Sequence, residues 1–102
     1  MNVDDAMALV RDEVERATKK FPTWPTDPIH ANGVLGEEFG ELSKAVLQAT
    51  YEPHKSGHEE VALEAIQTAA MAIRFIMSLG AYRYNHSPQH LQGGSTIVGE
   101  KA

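Results

Sequence analysis

The stretch from His58 to Leu79 constrains the fold of this 102-residue chain most, because it is apolar around most of its circumference. At about 100° per residue, a helix here gathers its polar side chains into one narrow strip. The strip consists of Glu60, Glu64, Gln67, Arg74 and Ser78, with Thr68 at its edge. Such a helix requires neighbours on nearly every side. Two other helices in one small chain can hardly supply them, so we expect a partner subunit to complete the packing.

Two further helices are predicted before this one. Between Val3 and Lys20, apolar residues recur at helical spacing, while charged residues, Glu13 among them, occupy the other face. Three prolines between residues 22 and 28 exclude a helix there. A second helix then runs from about residue 28 to residue 51, with Asp27 as its cap and proline in its first position.

The chain has no strand-rich region and no internal repeat, which predicts an all-α protein. We expect three main helices, over residues 3–20, 28–51 and 58–79, in a helical bundle completed by oligomerisation into a dimer or a tetramer. Residues 1–86 would form one domain. Residues 87–102 contain one proline and three glycines, which predicts a flexible tail.

The composition excludes several classes of function. A net charge of −5 disfavours binding to nucleic acid, and the absence of cysteine excludes thiol catalysis and cysteine metal sites. No uncharged apolar run reaches the roughly 18 residues of a membrane span. The N-terminus is acidic, whereas a signal peptide begins with basic residues. We therefore expect a cytoplasmic protein that has neither a nucleic acid nor a membrane as its partner.

Glu38 occupies an unusual position in the second predicted helix. Its neighbours at helical spacing are all apolar, namely Val34, Leu35, Leu42, Ala45, Val46 and Ala49. A carboxylate in a dry core requires a partner, and a cation is one partner that would explain it.

Other oxygen-bearing side chains are spaced so that they could join Glu38. Glu41 lies on the same side of its helix, and Glu60, Glu64 and Gln67 form one row along the third helix. If the two rows face each other, they offer the oxygen ligands that Mg²⁺, or Mn²⁺ in its place, requires. The alternative is an acidic face that meets only water, and it stays open, above all for the third helix.

Three glycines lie on the side of the second helix that faces away from Glu38. Gly33, Gly36 and Gly40 each cost about 1 kcal/mol relative to alanine in a helix interior. This grouping predicts that another backbone packs closely there. The alternative is a weakened and partly bent start of the helix.

The segment 37–42, with the sequence EEFGEL, resembles the first motif of the MazG-like all-α nucleoside triphosphate pyrophosphohydrolases. Their pattern is EExxE followed, after a spacer, by ExxD, and the resemblance covers about residues 28–80. The third helix departs from the second motif, because no aspartate follows a glutamate by three positions. If Glu60 is the motif glutamate, Leu63 takes the aspartate position and cannot bind metal. We prefer Glu64, which places Gln67 there, with Glu60 supplying the missing charge.

The resemblance implies an enzyme that cleaves a (deoxy)nucleoside triphosphate to the monophosphate and pyrophosphate with the help of Mg²⁺. The implied metal ligands are Glu38, Glu41, Glu60, Glu64 and Gln67. Water polarised by the metal, and by Glu37 or Glu41, would attack phosphorus. Lys44 and Arg74 are candidates for contacts with phosphate, and the alternative for each is an ordinary surface or interface ion pair.

Three side chains that precede the acidic motif in the sequence are candidates for binding the base. Trp24 could stack on the base, Asn32 could hydrogen-bond to its edge, and His30 lies in the same helical turn. For Trp24 the alternative is a hydrophobic plug over the helix ends, and for His30 it is a structural role.

Two other functions stay open. One is a non-catalytic helical module for dimerisation or regulation that shares the fold, a reading that the glutamine at position 67 favours. The other is a phosphoribosyl-ATP pyrophosphohydrolase, a related helical enzyme.

Overall fold

A computed structural model describes residues 1–84, which form three α-helices and one short 3₁₀ turn. The helices are α1 (Val3–Lys20), α2 (Pro28–Tyr51) and α3 (His58–Met77), and the 3₁₀ turn covers Leu79–Ala81. The described residues contain no strand, so the all-α prediction is confirmed. The first two helices have the predicted bounds, whereas α3 ends two residues earlier than expected. The predicted tail, residues 87–102, lies outside the described residues.

Local sequence accounts for the starts of α1 and α2. Asn2 and Asp5 form a capping box, in which each side chain accepts a hydrogen bond from the other residue's backbone N–H, at 2.9 and 3.2 Å. Asp27 Oδ1 accepts from the Ile29 N–H at 2.9 Å, as predicted for the cap of α2. Gly57 precedes α3 without a side-chain cap.

The central element is α3, because both α1 and α2 pack along it. The core between the helices is built from Ala17, Ala70 and Met71. Larger side chains surround it, namely Val10, Val14, Trp24, Val34 and Leu35. Small residues at the centre let the helices approach closely, and the result is a bundle with a thin core.

Within residues 1–84, α2 exposes more large apolar residues than α3, where the sequence led us to expect them. On α3 the exposed large apolar residues are Leu63, Ile76 and Met77. On α2 they are Ile29, Phe39, Val46, Leu47 and Tyr51. The central place of α3 explains the difference, because two neighbours cover α3 whereas α2 has one packed face.

Arg74, Trp24 and Tyr82 form a cluster that ties the α1–α2 loop to the end of α3. The guanidinium of Arg74 lies 5.0 Å from the centre of the Trp24 ring, and its Nη2 donates to the carbonyl of Phe21 at 2.8 Å. Trp24 Nε1 donates to Tyr82 Oη at 2.9 Å, and the Tyr82 hydroxyl donates to the Phe75 carbonyl at 3.0 Å. We call these residues the aromatic latch.

None of the helices formed by residues 1–84 combines the length and hydrophobicity that crossing a membrane requires.

Candidate functional site

Glu38 lies half-buried on the face of α2 that packs against α3, as its apolar neighbours predict. Burial raises the pKa of its carboxyl, and the charges of four other glutamates raise it further, with Glu64 first among them, then Glu41, Glu37 and Glu13. Within residues 1–84, Glu38 takes part in no ion pair. The carboxylate is therefore surrounded by like charges and lacks a compensating cation there.

Glu64 is the matching carboxylate on α3. It is also half-buried, and its pKa is raised first by burial and then by the charges of Glu41 and Glu60. The charge of Glu64 acts on Glu38, and the charge of Glu41 acts on both, which favours the alternative in which the acidic rows of the two helices face each other.

Thr68 joins the two helices at the level of these carboxylates. Its hydroxyl lies 2.7 Å from the carbonyl of Glu64, one turn back on α3, and 3.1 Å from the carbonyl of Glu38 on α2. A shared hydrogen bond of this kind holds the backbones of both glutamates in one register. In the sequence Thr68 was visible only as the edge of a polar strip.

Glu13 on α1 is a further acidic side chain near Glu38. The sequence pattern predicted that it lies on the charged face of its helix. It is buried, and its pKa is lowered mainly by hydrogen bonds from Arg16, while burial acts in the opposite direction. Arg16 Nε donates to Glu13 Oε1 at 2.8 Å and Nη2 donates to Oε2, so the pair is bidentate. The burial of Glu13 could have been predicted from its spacing, since it stands three residues after Val10 and four before Ala17 in the apolar stripe.

The donors are chemically suited to a hard cation but do not form a ready-made ligand set. Carboxylate and amide oxygens are the groups that Mg²⁺ prefers. Within residues 1–84, however, no group of three or more histidine, aspartate or glutamate side chains is arranged so that it could hold a metal ion. Glu41 and Glu60 are exposed, while Gln67 is half-buried. A bound cation would require these side chains to turn towards Glu38 and Glu64.

Arg74 and Trp24 make contacts within the chain that bear on their expected roles in binding substrate. Arg74 is 7% exposed and directs its guanidinium to loop carbonyls and to the Trp24 ring. One face of the Trp24 ring is covered by Arg74, and its N–H is bonded to Tyr82. These contacts give both residues a structural role in the aromatic latch. The expected contacts of Arg74 with phosphate and of Trp24 with the base stay predictions.

The remaining candidates are exposed side chains on α2. Glu37, Lys44, His30 and Asn32 all meet solvent. At about 100° per residue, Lys44 and Asn32 each lie about 120° around the helix from Glu38, on opposite sides of it. They are thus outside the face that packs on α3, whereas Glu37 is close enough to raise the pKa of Glu38.

Comparison with known proteins gave no match to any protein-family model, curated protein or solved structure. The resemblance of the segment 37–42 to MazG-like enzymes therefore stays a prediction from the motif.

Proposed function

We propose that this protein is a Mg²⁺-dependent nucleoside triphosphate pyrophosphohydrolase of the MazG-like kind. The observation that carries the proposal is the meeting of Glu38 and Glu64, two half-buried carboxylates on different helices whose pKa values are both raised. Groups with perturbed pKa values at the contact of two elements are typical of functional sites. The motif at residues 37–42 supplies the class of reaction.

Glu38 and Glu64 would be the principal metal ligands, with Glu41, Glu60 and Gln67 as further oxygen donors. When bound, the cation, Mg²⁺ or Mn²⁺, would neutralise charge on the triphosphate and polarise water. Glu41 is the better candidate for accepting the proton of the attacking water, because its charge acts on both Glu38 and Glu64. Water oxygen would bond to the α-phosphorus as pyrophosphate leaves.

The chain contributes fixed backbone positions to this reaction. The Thr68 hydroxyl bonds to the main-chain carbonyls of Glu38 and Glu64, so the backbones that carry the two carboxylates are held in one register. Preorganised ligands reduce the rearrangement that substrate binding must drive. We also propose a cytoplasmic homo-oligomer, a dimer or a tetramer, as the functional form.

A non-catalytic helical module for dimerisation or regulation is the second candidate. It is favoured by the absence, within residues 1–84, of a group of acidic side chains placed to hold a metal, and by the glutamine at position 67.

Two measurements on the same samples separate these functions. The first is the melting temperature with and without Mg²⁺ or Mn²⁺, since a ligand that binds the native state raises it. The second is pyrophosphate release from a panel of common and modified triphosphates. The enzyme should be stabilised by metal and release pyrophosphate from at least one of them.

Glu38→Gln should remove both effects, whereas Glu59→Gln, the same change on an exposed residue in the first turn of α3, should retain them. No metal effect and no pyrophosphate release in the parent protein would favour the non-catalytic module. Full activity in Glu38→Gln would rule out the proposed site.

A further inference from the structure

Within residues 1–84, one face of α2 is uncharged and uncovered along its whole length. Ile29, Leu47 and Tyr51 are 81%, 57% and 77% exposed, and they lie on the side opposite Glu38 at about 100° per residue. Exposed apolar residues scattered singly need no explanation, but a row along one helix face marks a contact surface. We call this row the outer face of α2.

The three glycines of α2 lie on the same outer face and leave it open. A Cβ added at Gly33, Gly36 or Gly40 would meet no atom within 4 Å, so no described part of the chain uses the space. Each glycine nevertheless costs the helix about 1 kcal/mol relative to alanine. A second helix packed on this face could come closer than it could to larger side chains.

The hydroxyl groups on the outer face are already bonded within α2. Ser43 Oγ donates to the Phe39 carbonyl at 3.1 Å, and Thr50 Oγ1 donates to the Val46 carbonyl at 2.8 Å. Covering the face would therefore leave neither hydroxyl without an acceptor.

The charges at the edge of the outer face indicate which helix covers it. Glu37 and Lys44 stand seven residues apart on the same edge, and neither takes part in an ion pair within residues 1–84. When two copies of a helix pack antiparallel about a two-fold axis, the same edges meet, and each residue i faces a residue j that faces i in return. With the axis beside Gly40, Glu37 of each copy lies next to Lys44 of the other copy, so two such pairs form.

The same axis also matches large residues to small ones. Leu47 of one copy lies opposite Gly33 of the other, and Ile29 lies opposite Tyr51. We infer that the outer face of α2 binds the outer face of α2 in a second copy of this chain, antiparallel, with the two-fold axis beside Gly40. The inference is independent of the proposed hydrolase activity, because it uses the outer face and not the carboxylates that face α3.

Sedimentation equilibrium of the full chain tests the surface. The parent protein should be dimeric or a dimer of dimers at micromolar concentration, and Leu47→Asp should weaken association at least about tenfold, because a charge at the contact loses its water. Ile76→Asp is the matched control, since Ile76 is 58% exposed on α3 and should leave association unchanged. A monomeric parent would overturn the inference, as would association lost in Ile76→Asp but kept in Leu47→Asp.

Charge reversal tests the partner. Glu37→Lys and Lys44→Glu should each weaken association, because each places like charges next to each other across the axis. The double variant restores two pairs of opposite sign and should associate about as well as the parent. If the double variant associates as weakly as the single variants, the result would contradict this pairing.

Cross-linking tests the direction, since the chain contains no cysteine. Ile29→Cys and Tyr51→Cys should form a disulfide when mixed and oxidised, whereas either variant alone should cross-link at least about tenfold less, since like positions lie on the order of 30 Å apart in an antiparallel pair. Efficient cross-linking of each variant alone would indicate parallel helices and overturn the proposed axis.

Discussion

Glu38 and Arg74 show two ways in which this small bundle treats a charge that is removed from water. The charge of Arg74 meets carbonyl oxygens and a ring face, so its burial is compensated. The pKa of Glu38 is raised first by burial and then by the charges of other carboxylates. A group whose ionised form is disfavoured in the folded chain lowers the stability of that chain at neutral pH.

The sign of the pH effect follows from the direction of this shift. Because the folded pKa of Glu38 lies above the ordinary value of 4.5, the folded chain binds this proton more readily than the unfolded chain. The contribution of Glu38 to the free energy of unfolding therefore becomes less favourable as the pH rises from the ordinary pKa to the raised pKa of the folded chain. Glu13 acts in the opposite sense, because its pKa is lowered, so the comparison must be made between variants.

We expect Glu38→Gln to raise the free energy of unfolding at about pH 7 and to reduce the gain in stability on acidification. Urea unfolding between about pH 5 and pH 7 measures both quantities, with metal chelated throughout. Glu59→Gln should follow the parent curve. Identical curves for Glu38→Gln and the parent would show that Glu38 ionises without cost.

At the scale of helices, Thr68 is the point where α2 and α3 are joined through a side chain. We expect Thr68→Val, which keeps the shape and removes the hydroxyl, to lower the free energy of unfolding by about 1 kcal/mol. Thr50→Val is the matched control, because the hydroxyl of Thr50 bonds only to its own helix and is exposed. Chemical denaturation of both variants compares them directly, and equal losses would show that the link between the helices contributes nothing.

Gly36→Ala should have two opposite effects, depending on protein concentration. In the separate chain alanine favours the helix by about 1 kcal/mol and meets no neighbouring atom. In the antiparallel pair the added methyl holds the two helices apart. The melting temperature of the variant should therefore exceed that of the parent in dilute solution, and this advantage should shrink or reverse at high protein concentration. An equal gain in melting temperature at all concentrations would place the dimer contact elsewhere.

The bounds of α1 and α2 could be predicted because periodic apolar residues, prolines and caps are local signals. Helical spacing placed Glu38 in an apolar stripe and Glu64 in a row of oxygen donors, but whether the two rows face each other depends on how the helices pack. Glu13 was assigned to the wrong face because it is charged, although its spacing from Val10 and Ala17 places it in the apolar stripe. The bond from Arg74 to the carbonyl of Phe21 joins residues that are 53 positions apart, and such contacts arise only once the helices are packed.

Across the whole molecule, the aromatic latch is the contact that joins the first loop to the segment after α3. Near it, the Arg83 N–H donates to the Thr26 carbonyl at 2.9 Å and closes the same junction from the backbone. Hydrogen bonds therefore hold the loop between α1 and α2 at both of its ends. The position of α1 against the bundle depends on this junction as well as on the core.

Tyr82→Phe should loosen the junction without removing the ring that packs on Phe75 at 4.9 Å. The change leaves the Trp24 N–H without its acceptor, so we expect a loss of about 1–2 kcal/mol in the free energy of unfolding. Hydrogen exchange should increase in the α1–α2 loop more than in the middle of α2. Uniform faster exchange over all three helices would instead indicate that the latch stabilises the fold only globally.

Trp24 is the single tryptophan of the chain, and it stands where the loop, the last turns of α3 and the residues after α3 meet. Its emission is therefore a built-in optical reporter of that junction, excited apart from the three tyrosines and in need of no attached dye. Because Glu64 precedes Arg74 by ten residues on α3, about 15 Å of helix, a change in emission on adding Mg²⁺ alone would report movement transmitted through α3 to this junction.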